Sequence, residues 1–321
     1  MPGQKNSIVT IGNFDGVHAG HRAILQAARQ LGDHRCLPVV AMTFARHPAT
    51  VLRSGTTPLA LTDLSQKTDM LLAAGADEVV VLEPTADLLS LGPKRFLEQM
   101  VDRHRPAVVV EGSDFRFGRD RAGDVATLRS FGGPLGFELH VVDPVEVSLC
   151  DQTLTTVSSS LVRWLLACGR VDDAARCLGQ PYALTGRVIG GDRRGRSIGF
   201  PTANLDPEAV RGRAVPGDGV YAGVVQRNGQ TSHAAAISVG CQSTFGGGDR
   251  VVEAHLVGFD GDLYDQAVAF CFSRWLRDQR PFPNSDVLQR QLKRDVCQTR
   301  QWQLMGLIDV RPNHDQDRAT A

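Results

Sequence analysis

The sequence predicts a doubly wound α/β domain followed by a small antiparallel β-barrel that closes with one helix. Three observations predict this. The first half alternates short, nearly continuous apolar runs with amphipathic helical patterns, as in a parallel sheet covered on both faces. After Gln180-Pro181 the texture changes to closely spaced strands and turns. A single apolar stripe of helical period then ends the second half. At 321 residues the chain suits two domains of usual size, about 100–200 residues each. The change of texture divides it into 1–182 and 183–321.

In chain order, strands are expected at Ser7–Ile11, Leu37–Phe44, Glu78–Leu82, Ala107–Glu111 and Glu138–Val142. A helix from Ala19 to Leu31 places Ile24, Ala27, Ala28 and Leu31 on one face, and another starts at Pro93 and buries Phe96, Leu97 and Met100. Helices near Ser158–Cys168 and Val171–Leu178 stop at Gly169 and Gly179. Barrel strands follow at Tyr182–Ile189, Val220–Gln226, Thr231–Val239, Val251–Leu256 and Ala267–Phe272, with Asn228-Gly229 as a hairpin turn. The closing helix, Asp286–Gln298, takes Ser285 as its cap and buries Leu288, Leu292 and Val296. Residues after Arg311 read as a disordered tail.

Composition excludes several function classes. Lys+Arg and Asp+Glu are both 35, so no basic excess speaks for nucleic acid or an anionic membrane surface. The seven cysteines are scattered, without a C-x-x-C pair, which argues against a disulfide framework or a zinc site. Reduced thiols, no apolar signal region and no run long enough to span a bilayer give a cytoplasmic protein without nucleic-acid or membrane partners. A homo-oligomer stays open.

Two segments carry chemistry. The run Gly12-Asn13-Phe14-Asp15-Gly16-Val17-His18-Ala19-Gly20-His21 follows the first strand and opens the first helix. Such a turn presents backbone N–H groups and the helix dipole to a phosphate. His18 and His21, three apart, project from one face and can stabilise charge on a phosphoryl group in flight. Ser159, Ser160 and Arg163 at a later helix start offer hydroxyls and a guanidinium to phosphates, and Phe115 and Phe117 offer aromatic surface. Taken singly, each has a bland reading as a cap, a surface Arg or a core ring. In the second half, a glycine- and arginine-rich stretch from Gly186 through Arg193, Arg194, Gly195, Arg196 and Gly199 leads into Pro201-Thr202-Ala203-Asn204. The glycines permit a tight loop around phosphate, and Thr202 and Asn204 are neutral oxygen ligands suited to Mg²⁺ carrying nucleotide phosphates.

Together these motifs resemble the bacterial bifunctional riboflavin kinase/FMN adenylyltransferase (FAD synthetase) family, from about residue 7 to 305. The G-x-F-D-G-x-H-x-G-H run is similar to its nucleotidylyltransferase signature, whose H-x-G-H core is shared by a wider superfamily. Phe44-Ala45-Arg46-His47-Pro48 resembles its F-D-P-H-P segment and departs from it at Ala45 and Arg46. Gly112-Ser113-Asp114-Phe115-Arg116-Phe117-Gly118, continuing through Arg121 to Asp124, resembles its flavin-site loop, and Ser158–Arg163 its S-S-T-x-I-R with Ser160 for Thr. Gly199–Asn204 resembles the riboflavin kinase motif G-x-P-T-A-N; Gly219–Ala222, Glu253–Leu256 and Asp262–Tyr264 follow in family order. Cys241-Gln242-Ser243-Thr244-Phe245 stands where the family has x-N-P-T-F.

The resemblance implies a nucleotidylyltransferase-like first domain and a riboflavin-kinase-like barrel. It also implies phosphorylation of riboflavin to FMN and adenylylation of FMN to FAD, with ATP as co-substrate and Mg²⁺ as cofactor. Glu253 would be the general base of the kinase half. Gly12, Asn13, Phe14, Asp15, Gly16, His47, Asp114, Phe115, Phe117, Arg121, Ser159, Ser160 and Arg163 would bind substrates in the first half, and Gly186, Gly195 and Gly199 in the second. The departures leave open a specialised paralogue, with one active half or a modified flavin as substrate. A non-catalytic flavin or RNA sensor on the same folds is the rival of another class.

Overall fold

The computed structural model describes residues 7–52, 57–191, 195, 198–227, 232–241 and 250–310. The chain forms two compact units, Met1–Val147 with Leu154–Ser159, and Ser148–Thr153 with Ser160–Ala321.

In the first unit the chain order is β1 (Ser7–Gly12), α1 (Ala19–Arg35), β2 (Val39–Phe44), α2 (Ala49–Leu52), α3 (Leu64–Ala73), β3 (Glu78–Leu82), α4 (Ala86–Ser90), α5 (Pro93–His104), β4 (Pro106–Gly112), β5 (Arg116–Phe117), β6 (Gly123–Asp124), α6 (Val125–Leu135) and β7 (Glu138–Val142). Five strands make a parallel sheet in the order β3-β2-β1-β4-β7. Alternation along the strands divides the core. Val9, Ile11, Val40, Met42 and Val109 face Phe96, Leu97 and Met100 of α5 and Leu128 of α6. Ile8, Val39, Val108 and Val110 pack with Ala28 and the Ile24–Leu31 face of α1. Pro93 stands in the first turn of α5, and an Asp63–Gln66 capping box starts α3. The chain reverses its direction across the sheet between β1 and β4, the place where doubly wound folds bind ligands. A short ribbon, β8 (Glu146–Ser148) with β9 (Leu154–Thr156), follows.

The second unit holds α7 (Ser159–Ala167, from Ser160 onward), α8 (Val171–Leu178), β10 (Tyr182–Ile189), β11 (Ala203–Leu205), α9 (Pro207–Val210), β12 (Gly219–Arg227), β13 (His233–Cys241), β14 (Arg250–Leu256), β15 (Ala267–Arg277) and α10 (Ser285–Leu304). Six strands close a barrel in the order β10-β11-β14-β13-β12-β15, with antiparallel pairing throughout. Gly169 and Gly179 stop α7 and α8 in the left-handed conformation, as expected. Trp302 of α10 and Ile308 cover Ala222, Val224 and Cys271 on the outside of β12 and β15, which explains why β12 is buried along most of its length.

Several expectations are corrected. The cap of α10 is Asn284, whose Oδ1 accepts the Val287 N–H at 3.0 Å, not Ser285. Leu288, Leu292 and Val296 are half-buried and line a cavity instead of filling the core. The strand β11 was not foreseen, and β15 runs past Phe272 to Arg277. The helices α7 and α8 group with the barrel: a side chain at Gly169 would meet the Trp275 ring, and a side chain at Gly217 would meet the Ala167 carbonyl. Asn228-Gly229 and the tail after Arg311 lie outside the described residues.

Two candidate active sites

The first site is built on the turn after β1. Phe14 (φ 46°), Gly16 (φ 81°) and Val17 (φ 37°) all take positive φ, so the chain coils tightly before α1. Buried Phe14 anchors the coil in the core with Val17 and Leu25. The Asp15 carboxylate is buried, and it accepts the backbone N–H groups of Leu61 (2.9 Å) and Thr62 (3.1 Å). It thus ties the approach to α3 to the turn. Gly16 N–H donates to Thr62 Oγ1 at 3.2 Å, and Ser159 Oγ donates to the Asp15 carbonyl at 2.8 Å.

His18 caps α1 in extended conformation and His21 follows one turn later. Their rings stack with centroids 3.6 Å apart and planes 20° apart, and the Phe14 ring stands edge-on to His21 at 5.1 Å. The space left by the missing side chain of Gly20 is taken by the His18 ring, 3.2 Å from where a Cβ would stand. Burial lowers the His21 pKa well below its ordinary value, and the neighbouring charges of His18 and Lys67 lower it further. His21 is therefore neutral at physiological pH and presents an imidazole, not an imidazolium, in the first turn of α1.

Two buried ionisable groups at this end of the sheet were missed by sequence reasoning. Lys67 on α3 donates to the carbonyl oxygens of Asn13 (3.2 Å) and Phe44 (2.6 Å), and burial lowers its pKa. Glu111, at the end of β4, accepts the Ile11 N–H at 2.7 Å, just beyond Val9, where the β1–β4 ladder ends. Burial raises its pKa well above the usual value, and the charge of Asp114 adds to the rise. A carboxyl held neutral by the fold loses relative stability as pH climbs above its unfolded value, because only the unfolded chain then ionises. The sequence signal for both was a charged residue on an otherwise apolar face: Lys67 between Leu64 and Leu71, and Glu111 ending a valine run.

The other first-half residues separate. Phe117 is a core residue against Phe96, and half-buried Phe115 stacks on it with centroids 5.4 Å apart. Phe115 therefore carries the accessible ring. Asp114 and Arg121 are exposed on the loop, with Arg121 at φ 58°. His47 Nδ1 accepts the Ala49 N–H at 3.1 Å. Ser160 is exposed and Arg163 half-buried on α7; both belong to the second compact unit.

The second site is a cavity of about 1040 Å³ in the barrel unit. Glu253 on β14 lies opposite Asn204 on β11, and Thr202 Oγ1 donates to Glu253 Oε2 at 3.1 Å. The backbone at Gly191 runs so close to Asn204 that any side chain there would collide with the Asn204 amide. The Phe200 N–H donates to the Gly195 carbonyl at 2.8 Å. Gly191, Gly195, Thr202, Asn204 and Glu253 all line the cavity, together with Tyr264 and the apolar face of α10. Gly186 and Gly199 do not: Gly186 packs against Leu205 and Ala209, and exposed Gly199 turns the chain at φ 81°. Arg193, Arg194, Arg196 and the segment after Cys241 lie outside the described residues.

Along the cavity, α10 is tied to β15 by an ion pair whose carboxylate is buried. Arg277 at the end of β15 meets Asp295 through Nε and Nη2 at 3.0 and 2.8 Å, and Gln291 Nε2 donates to the same carboxylate at 2.8 Å. A bidentate pair with its remaining lone pairs satisfied fixes geometry. It holds Leu288, Leu292 and Val296 towards the cavity.

Two family models match the chain. The FAD synthetase model matches residues 1–160 and the riboflavin kinase model residues 178–303. The bifunctional riboflavin kinase/FMN adenylyltransferase of Escherichia coli K12 is 34% identical over 300 residues, covering 93% of each chain. The chain belongs to this bifunctional family.

Its Bacillus subtilis relative of the same name is 31% identical over 297 residues, covering 91% of each chain. Among solved structures, one from Streptococcus pneumoniae, titled a macrolide-efflux protein, superposes with a TM-score of 0.83. It shares 30% identity and covers 94% of this chain and 96% of that one. No described helix of this chain is long and apolar enough to cross a membrane. The first matched stretch contains the β1–α1 turn and the second contains the barrel, and the family's use of ATP fits a divalent-metal requirement.

Proposed function

We propose that this chain phosphorylates riboflavin to FMN in the barrel cavity and adenylylates FMN to FAD at the β1–α1 turn. The observation that carries the reading is the presence of both constellations on one chain: Glu253 bonded to Thr202 beside Asn204, and the stacked His18–His21 pair at the start of α1.

In the kinase step Glu253 takes the proton of the ribityl 5′-hydroxyl as its oxygen attacks the γ-phosphorus of ATP, and ADP leaves. The Thr202 hydroxyl and the Asn204 amide oxygen, which line the same cavity as Glu253, are oxygen donors that would suit Mg²⁺ rather than a softer metal. A Mg²⁺ held there would neutralise charge on the transferring phosphate. Thr202 then orients the base, and the glycine loop through Gly195 supplies backbone close to the phosphates.

In the adenylyl step a phosphate oxygen of FMN attacks the α-phosphorus of ATP in line, and pyrophosphate leaves. The α1 N-terminus and the two imidazoles face the charge that develops there. Asn13 and the backbone of Phe14–Gly16 form the phosphate turn, with Asp15 holding that turn in shape. Phe115, Asp114 and Arg121 form the flavin loop, while Ser159 serves the phosphates. Riboflavin, FMN and ATP are the small-molecule partners, in a cytoplasmic setting.

Adenylyl transfer is assigned to 1–182 and phosphorylation to 183–321, because the motifs divide there. The compact barrel unit begins upstream, so an isolated kinase fragment has to keep 148–182 to retain the cover that α7 and α8 give the barrel. Purified full-length chain with riboflavin, ATP and Mg²⁺ is expected to yield FMN and then FAD on chromatography, and EDTA to stop both steps. Product that stops at FMN would remove the second activity.

A further inference from the structure

We propose that Lys67 is a positioning residue of the adenylyl-transfer site: its ammonium clamps the carbonyl oxygens of Asn13 and Phe44, and it sets a fixed positive charge behind the two imidazoles. The inference rests on the adenylyl-transfer reading of the β1–α1 turn and assigns a role to a residue outside every motif that led to that reading.

The geometry comes first. Lys67 is only 5% exposed, on the inward face of α3 between Leu64 and buried Leu71. Its Nζ reaches Asn13 O at 3.2 Å and Phe44 O at 2.6 Å. Asn13 belongs to the turn after β1, and Phe44 ends β2 and opens the Phe44–Pro48 segment. One ammonium therefore joins the two segments that carry the first site. Thr43 Oγ1 adds a second bond to the Asn13 carbonyl at 3.1 Å. Asp15 fastens the other end of the connection, through the N–H groups of Leu61 and Thr62 just before α3.

Energetics argue that packing alone does not account for a lysine here. Burying a cation is costly, and exchanging a buried charge for a well-packed apolar residue is often neutral or stabilising. A leucine or methionine would continue the apolar face of α3. The charge earns its place only if something nearby needs it, and what lies nearby is a turn shaped for anions. The charged and titratable groups around His21 are consistent with this. His18 stacks on it from the turn, Lys67 acts from α3, and Asp15 compensates Lys67. The Lys67 charge adds to burial in keeping His21 neutral.

The test uses full-length protein with Lys67→Met, Lys67→Gln and Lys67→Arg, read by FMN adenylylation kinetics and by histidine NMR titration without substrates. Loss of the clamp is expected to lower kcat on the order of a hundredfold in the Met and Gln variants, the scale of a small misplacement of reacting groups, with a smaller change in KM for ATP. The Arg variant should recover most of the rate. The His21 resonance should titrate at higher pH in Met and Gln than in the wild type or Arg. Unchanged kcat in Lys67→Gln, or a lowered kcat with His21 titrating as in the wild type, would overturn the proposal. If Lys67→Met does not fold, Lys67→Gln, which keeps an N–H donor but is one bond shorter and uncharged, decides the question. Wild-type protein that makes no FAD would instead refute the adenylyl-transfer reading, and the titration would still report on Lys67.

Discussion

Glu253→Gln is expected to lower riboflavin phosphorylation by about 10²–10⁴-fold, the usual contribution of a positioned general base, and to leave FMN adenylylation unchanged. The amide keeps the shape of the side chain, and its oxygen still accepts the Thr202 hydroxyl that now sits 3.1 Å from Glu253 Oε2. What it cannot do is take a proton. Glu253 is anchored in β14 between Ser238 on β13 and Asn204 on β11, so the strand ladder holds the backbone whichever residue stands there. The first site belongs to the other compact unit. Measured with riboflavin as substrate, the variant should therefore accumulate almost no FMN. Supplied with FMN, it should make FAD at the wild-type rate. Equal loss of both activities would mark a folding defect and would take the base assignment with it.

His21→Ala is expected to lower FAD formation by about 10²–10³-fold, the scale for removing one preorganised donor to a transition-state charge. Riboflavin phosphorylation should persist. The structure adds a further expectation. His21 stacks on His18 and meets the edge of Phe14, so its removal also frees the His18 ring from a stacked neighbour. A neutral imidazole donates one N–H and accepts at the other nitrogen, and the low pKa of His21 keeps it in that form. The adenylylation rate of the wild type should accordingly show no loss attributable to His21 deprotonation as pH rises through neutrality. Unaltered adenylylation in His21→Ala would remove His21 from the reacting centre and leave the stack as packing.

Much of this architecture was legible in the sequence because its signals are local. The strands of the first unit are valine- and isoleucine-rich runs, and four of the five were placed within a residue at each end. The fifth, β2, starts at Val39 where Leu37 was expected. The G-x-F-D-G-x-H-x-G-H and Pro-Thr-Ala-Asn motifs are also contiguous; the first spans the turn into α1, and the second lines the barrel cavity. What stayed hidden depends on the third dimension. Strand β11 is three residues long and follows a proline, so no alternation could reveal it; only its pairing with β14 makes it a strand. Asn284 and Ser285 are both good caps, and the choice between them depends on how the chain leaves β15.

The functional residues divide in the same way. Asp15 read as a nucleotide ligand because it sits inside the motif, yet its carboxylate is occupied by the N–H groups of Leu61 and Thr62, 46 and 47 residues away. Phe117 read as a flavin platform, yet its ring is buried beneath Phe115. Lys67 lies in a helix that no motif flagged, and only the fold brings it to Asn13 and Phe44. The apolar stripe of α10 was visible, but its orientation towards a cavity requires the Arg277–Asp295 pair, whose partners lie on different elements.

The most direct test of the central claim traces label from ATP into product. Full-length chain is given riboflavin, Mg²⁺ and ATP labelled either at the γ-phosphorus or at the α-phosphorus, and the FAD formed is cleaved at its pyrophosphate bond. Two separate in-line transfers at two sites predict that γ-label appears in the FMN half alone and α-label in the AMP half alone, with one label per FAD in each case. FAD lacking γ-label, or FMN as the final product with no α-label incorporated, would contradict the account.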